Sequence, residues 1–110
     1  MAIEDPKQVY EHRDRVQILD VREPNEWEAG HIDGAIHVPL GQLMAGAERG
    51  RLDTDRQVIV VCKTGNRSEL GALMLQARGY DAQNLEGGTE RWVAAGLPIV
   101  ADDGTQGRVV

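Results

Sequence analysis

This 110-residue sequence predicts an α/β fold with a mostly parallel central sheet and helices on both faces. Two observations predict the α/β class. Short apolar, strand-like segments alternate with helix-like segments along the chain. One of those strands, Val58-Ile59-Val60-Val61, is an unbroken β-branched run, the pattern of a strand buried on both faces.

The elements follow in order. Asp5-Pro6-Lys7-Gln8 is a helix start: Asp caps, Pro takes the first helical position, and Gln stands three residues after the cap. That helix ends near His12. Residues 16–20 read as a strand. Residues 24–29 read as a short helix stopped by Gly30, and residues 35–38 as a short strand. A weaker, glycine-bearing helix covers 40–48. The central strand covers 58–62. The strongest helix covers 67–78, with Leu70, Leu73, Met74 and Ala77 on one face and Gly79 as its stop. Residues 83–85 form a further strand. Residues 89–95 form a helix capped by Thr89 and stopped by Gly96, with Pro98 beyond. From Ala101 the chain turns polar and glycine-containing, which predicts a frayed or loosely docked tail. The expected organisation is one domain over residues 1–100 and a polar C-terminal tail over 101–110.

Composition narrows the function classes. Hydrophobic residues are 41% and charged residues 27%, ordinary for a soluble globular domain. No apolar run approaches the length of a membrane span. Met1-Ala2-Ile3-Glu4-Asp5-Pro6 shows no basic region followed by an apolar stretch, so no secretory leader is expected. The single cysteine excludes an internal disulfide framework, which favours a reducing, cytoplasmic setting. A net charge of −6 argues against a nucleic-acid partner. His12, His31 and His37 are scattered, so no metal site and no cofactor are expected.

The single cysteine, Cys62, stands at the carboxyl end of the central strand. The polar loop Lys63-Thr64-Gly65-Asn66-Arg67-Ser68 follows, and then the strongest helix. Such a loop turns backbone N–H groups inward, and the helix adds its positive end. A thiolate there is stabilised, so its pKa is expected below the free value of about 8.5. The plainer alternative is a small buried hydrophobe ending a strand; the loop favours the reactive reading. Lys63 and Arg67 also concentrate positive charge around the cysteine of an acidic chain. In parallel sheets ligands bind beyond the carboxyl ends of strands. Asp20 and Glu86-Gly87-Gly88 end other strands and are placed to share that rim.

Three blocks carry a family resemblance. The first is Leu19-Asp20-Val21-Arg22-Glu23 with Glu26-Trp27, Gly30-His31-Ile32, Gly34-Ala35 and Pro39. The second is Val60-Val61-Cys62 with Gly65, Arg67 and Ser68. The third is Leu85-Glu86-Gly87-Gly88 with Trp92 and Gly96-Leu97-Pro98. Three such blocks in order, covering roughly residues 3 to 100, resemble the single-domain rhodaneses, a sulfurtransferase family. The resemblance implies that Cys62 attacks the outer sulfur of a donor such as thiosulfate, carries a persulfide, and yields it to cyanide or a thiol. It implies a substrate-binding loop of Lys63, Thr64, Gly65, Asn66 and Arg67. Arg67 can offer a planar fork to an oxyanion donor, and Lys63 a point charge. Helix capping is the favoured role for Ser68.

The expected partners are a small anionic sulfur donor, a thiol or cyanide acceptor and, in an alternative reading, a sulfur-relay protein; nucleic acid and membrane are not expected. In that alternative the chain is a sulfur carrier loaded by a partner enzyme. A noncatalytic domain of the family is disfavoured by the presence of Cys62 and Arg67. A phosphatase is disfavoured by loop length: cysteine phosphatases place Arg six residues after Cys, and here it is five. Asp20 and Arg22 are read as structural, His31 as packed, Trp27 and Trp92 as packing anchors between helix and sheet, and Gly87-Gly88 as a tight turn.

Overall fold

The computed structural model describes residues 5–110; the leader-free reading of the first four residues lies outside them. The elements are α1 (Pro6–Glu11), β1 (Gln17–Asp20), α2 (Pro24–Ala29), β2 (Ile36–His37), α3 (Leu40–Met44), β3 (Val58–Val61), α4 (Asn66–Ala77), β4 (Ala82–Asn84) and α5 (Gly88–Ala94). All four strands are parallel, in the order β2-β1-β3-β4. The class expected from the alternating pattern is the class observed.

The β-branched run explains itself at β3. Val58 and Val60 face one side, where they pack with Leu19, Leu43, Ala72 and Leu75 beneath α3 and α4. Ile59 and Val61 face the other, where they pack with Val9, Ile18, Leu85 and Trp92 beneath α1 and α5. A strand of period two with both faces covered must be apolar at every position. Its carboxyl end therefore delivers Cys62 to the rim from an inner, fully buried strand. The Asp5 capping box of α1 forms as expected.

Three expectations need correction. Helix α4 does not bury Leu70, Leu73, Met74 and Ala77 as one face. It buries Ser68, Gly71, Ala72 and Leu75, while Leu70 and Leu73 are 46% and 57% exposed. The helix lies so close to the sheet that only small residues fit between: a Cβ on Gly71 would stand 3.3 Å from Leu43 and Val60 side-chain atoms. Thr89 does not cap α5; Gly87 is the cap residue, and Thr89 is buried inside the first turn. The segment after Val100 is not frayed. Val100 bridges to His31 and to Gln106, Arg108 N–H donates to the Ala29 carbonyl, and Val109 packs on the core. No helix among the described residues is long and apolar enough to cross a membrane.

Candidate active site

Cys62 follows β3 directly and is 1% exposed. The loop turns back over it. Gly65, at φ +108°, is the left-handed cap residue of α4, a conformation that favours glycine. Its N–H donates to Cys62 Sγ at 3.0 Å, and the Ser68 hydroxyl, 3.3 Å from Sγ, has one proton to share between that sulfur and Asn84 Oδ1. Burial is the largest single influence on this thiol and pushes its pKa up. The Ser68 hydroxyl and the N–H groups of Ser68, Gly65 and Thr64 together outweigh it, so the net shift is downward. The downward direction expected from the loop is present, and its leading causes are neutral hydrogen-bond donors, with Arg67 also attracting the sulfur's charge.

A second turn holds the loop from outside. The N–H groups of Thr89 and Glu90 donate to the carbonyls of Cys62 and Lys63 at 2.8 and 3.1 Å. Gly88 makes this approach possible: at φ +55°, a Cβ there would lie 2.1 Å from the Cys62 carbonyl oxygen. Gly87-Gly88 thus serves a backbone contact with the cysteine loop as well as a turn. Asn84, at the end of β4, closes the bracket. Its Nδ2 donates to the Gly65 carbonyl at 3.1 Å, and its Oδ1 accepts from Ser68.

Arg67 faces outward. Its guanidinium grips Glu26 with two bonds of 2.7 and 2.9 Å. The Arg67 hydrogen bond, against the opposing effect of burial, holds the Glu26 carboxyl at about 2, and the same bond raises Arg67. The fork expected to meet a donor oxyanion is thus occupied by a carboxylate of α2. Lys63 is half-buried and forms no salt bridge among the described residues. A cleft of about 660 Å³ opens beside the loop, lined in part by Thr64, Gly65, Asn66, Glu69, Asn84 and Glu86. Three of the five expected substrate-binding residues line it: Thr64, Gly65 and Asn66. Lys63 and Arg67 do not.

A model of the rhodanese-like domain matches residues 5–95. The chain belongs to the rhodanese-like family. This rhodanese-like chain is 34% identical over 90 residues to a sulfurtransferase of Allochromatium vinosum, covering 81% of the chain and 82% of that protein. It is 34% identical over 80 residues to the putative sulfur carrier protein YrkF of Bacillus subtilis, covering 73% of the chain and 42% of YrkF. Several other curated relatives are matched over only 20% to 61% of their length. Among solved structures, a rhodanese-related protein of Thermoplasma volcanium superposes with a TM-score of 0.82 at 30% identity, covering 91% of this chain and all (100%) of that one.

The rim of this rhodanese-like domain holds residues that its sequence did not disclose. Ser68 reaches the sulfur instead of capping α4. Asn84 and Glu26 act across 16 and 41 residues of chain, and no local signal marks such contacts. Asp20 and Arg22, read as structural, are fully buried; Arg22 Nε and Nη2 donate to the Asp20 carboxylate, and Nη2 also donates to the Gly30 carbonyl at 2.7 Å. Trp92 is the buried anchor expected, its indole N–H donating to the Pro98 carbonyl. Trp27 differs. It stacks on the imidazoles of His31 and His37, with ring centroids 3.6 and 4.6 Å away, instead of entering either core cluster. Nitrogens of those imidazoles donate to the Trp27 and Arg22 carbonyls, so the histidines lock the rim and neither contacts the sulfur.

Proposed function

We propose that this chain is a sulfurtransferase that carries sulfane sulfur as a persulfide on Cys62. One observation carries the reading: the sulfur of Cys62 is met by a convergent set of N–H and O–H donors that lower its pKa. Covalent transfer needs a thiolate near neutral pH. Thiosulfate is the proposed donor. The Cys62 thiolate attacks its outer sulfur; a new S–S bond forms, the old one breaks, and sulfite leaves with the electron pair. The terminal sulfur of the persulfide is again anionic, so the same donors suit it. Cyanide or a thiolate then attacks that terminal sulfur, and the Cys62 thiolate is released. Thr64, Gly65 and Asn66 are proposed to meet the donor through the N–H groups of the cysteine loop. Lys63 is proposed to attract it, and Arg67 to hold the loop. A reducing, cytoplasmic setting is part of this reading, because an isolated reactive thiol persists there.

The test is intact-protein mass after brief thiosulfate treatment. The mass of one sulfur atom should be added, cyanide should remove it with release of thiocyanate, and Cys62→Ser should show neither. Full thiocyanate production by Cys62→Ser would overturn the proposal. The second reading, a carrier loaded by a partner enzyme, is favoured by the match to a putative sulfur carrier protein and by the 1% exposure of Cys62. It predicts slow loading from free thiosulfate and fast loading from a persulfide-bearing protein.

A further inference from the structure

The cleft beside the cysteine loop has an electrostatic sign. Glu69, in the first turn of α4, and Glu86, two residues beyond β4, both line it, and neither Lys nor Arg does. Neither carboxylate belongs to a salt bridge among the described residues. The neighbouring arginines are bonded to other groups, and Lys63, beside Thr64 in the chain, forms no salt bridge among the described residues. The Arg67 fork is closed on Glu26. Arg91 Nη1 donates to the backbone carbonyl of Glu86 at 3.4 Å.

The same cleft is one hydrogen bond away from the reactive atom. Gly65, in its wall, donates to Cys62 Sγ. Asn84, also in its wall, accepts from the Ser68 hydroxyl that reaches Sγ. A molecule seated there is next to the loop that holds the sulfur, beside two carboxylates that form no salt bridge among the described residues.

We infer that this cleft is the acceptor subsite of Cys62, and that Glu69 and Glu86 select thiols that carry a positive charge. The inference rests on the persulfide reading of Cys62 and deepens it. The transfer balances without any further reactant. The acceptor thiolate attacks the terminal sulfur of the Cys62 persulfide, a new S–S bond forms on the acceptor, and Cys62 leaves as thiolate. An attacking thiolate is itself an anion, so an acidic cleft repels it. An ammonium group on the same molecule cancels that charge and is attracted to the two carboxylates. A carboxylate-bearing thiol enters as a dianion and meets like charge twice. Exposed carboxylates act through water, so each is expected to change the preference about threefold and the pair about tenfold.

The experiment loads the full chain with thiosulfate or inorganic polysulfide, removes the excess, and follows discharge by intact mass. The probes are cysteamine, 2-mercaptoethanol and 3-mercaptopropionate, with each charged thiol's second-order rate divided by that of neutral 2-mercaptoethanol. Comparing the chain with its own variants cancels the intrinsic reactivity of each thiol. The cysteamine-to-mercaptopropionate ratio should fall about tenfold in Glu69→Gln/Glu86→Gln, about threefold in either single variant, and toward the double-variant value when wild type is assayed in high salt. Normal loading with an unchanged ratio would overturn the inference and leave the sulfur-transfer reading standing. Failure of Cys62 to load from either reagent would overturn the sulfur-transfer reading and this inference with it.

Discussion

Two guanidinium–carboxylate clasps sit near the rim of the sheet, and they differ in burial. Asp20–Arg22 is closed at 2.8 Å with both side chains 0% exposed; Glu26–Arg67 is closed at 2.7 Å with Arg67 36% exposed. A buried pair is costly to form but very costly to break, because removing one partner strands the other charge without water. A half-exposed pair is rescued by solvent. The inner clasp therefore fixes the β1 end and the Gly30 turn as architecture. The outer clasp fastens the cysteine loop to α2 in a way that can be loosened without unfolding the domain.

The largest expected effect breaks the inner clasp. Arg22→Ala should destabilise the fold by about 3–5 kcal/mol, a large share of the roughly 5–15 kcal/mol available to a domain. Urea denaturation checks this; a loss within experimental error would make the two clasps equivalent. Next comes the contact that presses the second turn onto the loop. Gly88→Ala forces a Cβ against the Cys62 carbonyl and into a left-handed backbone, which should cost at least about 2 kcal/mol and impair persulfide formation. Normal loading by a stable Gly88→Ala protein would show that the loop tolerates displacement. Ser68→Ala should be milder, raising the thiol pKa by about one unit through loss of one donor to an ionised sulfur.

The smallest effect sharpens the comparison from the outer clasp. The folded Glu26 pKa is depressed to about 2. Its stabilisation is therefore fully present above the unfolded carboxylate range of about 4.3 and is lost as pH falls through the folded value. Because Arg67 is exposed, this contribution should not exceed about 1 kcal/mol. Melting temperature should fall less steeply between about pH 4.3 and 2 in Arg67→Ala than in wild type. Parallel curves would mean that the outer clasp does not contribute.

What the sequence disclosed follows from the range of the forces involved. The β3 run was readable because burial on two faces leaves no polar position. The place of Cys62 at a strand end beneath backbone donors is readable because strand, short loop and helix are adjacent in the chain, and such donors need no particular side chain. The α4 face was misread because large apolar residues usually mark the buried side, whereas here close packing admits only Gly71 and Ala72 beside Leu75. Arg67 was visible as a cation, but its partner Glu26 lies 41 residues away. Ser68 was visible as a hydroxyl near a helix start. Its second partner, Asn84, arrives only with β4. The docked tail was hidden by polar composition, because backbone pairs hold it.

Neutral donors, more than the neighbouring cations, make Cys62 acidic. Iodoacetamide alkylation of persulfide-free protein, followed against pH, tests it most directly. Wild type should show a midpoint below the free-thiol value of about 8.5. Ser68→Ala should move that midpoint up by about one unit, and Arg67→Ala by no more than a few tenths of a unit. A wild-type midpoint at or above about 8.5, or a larger upward shift in Arg67→Ala than in Ser68→Ala, would contradict the account.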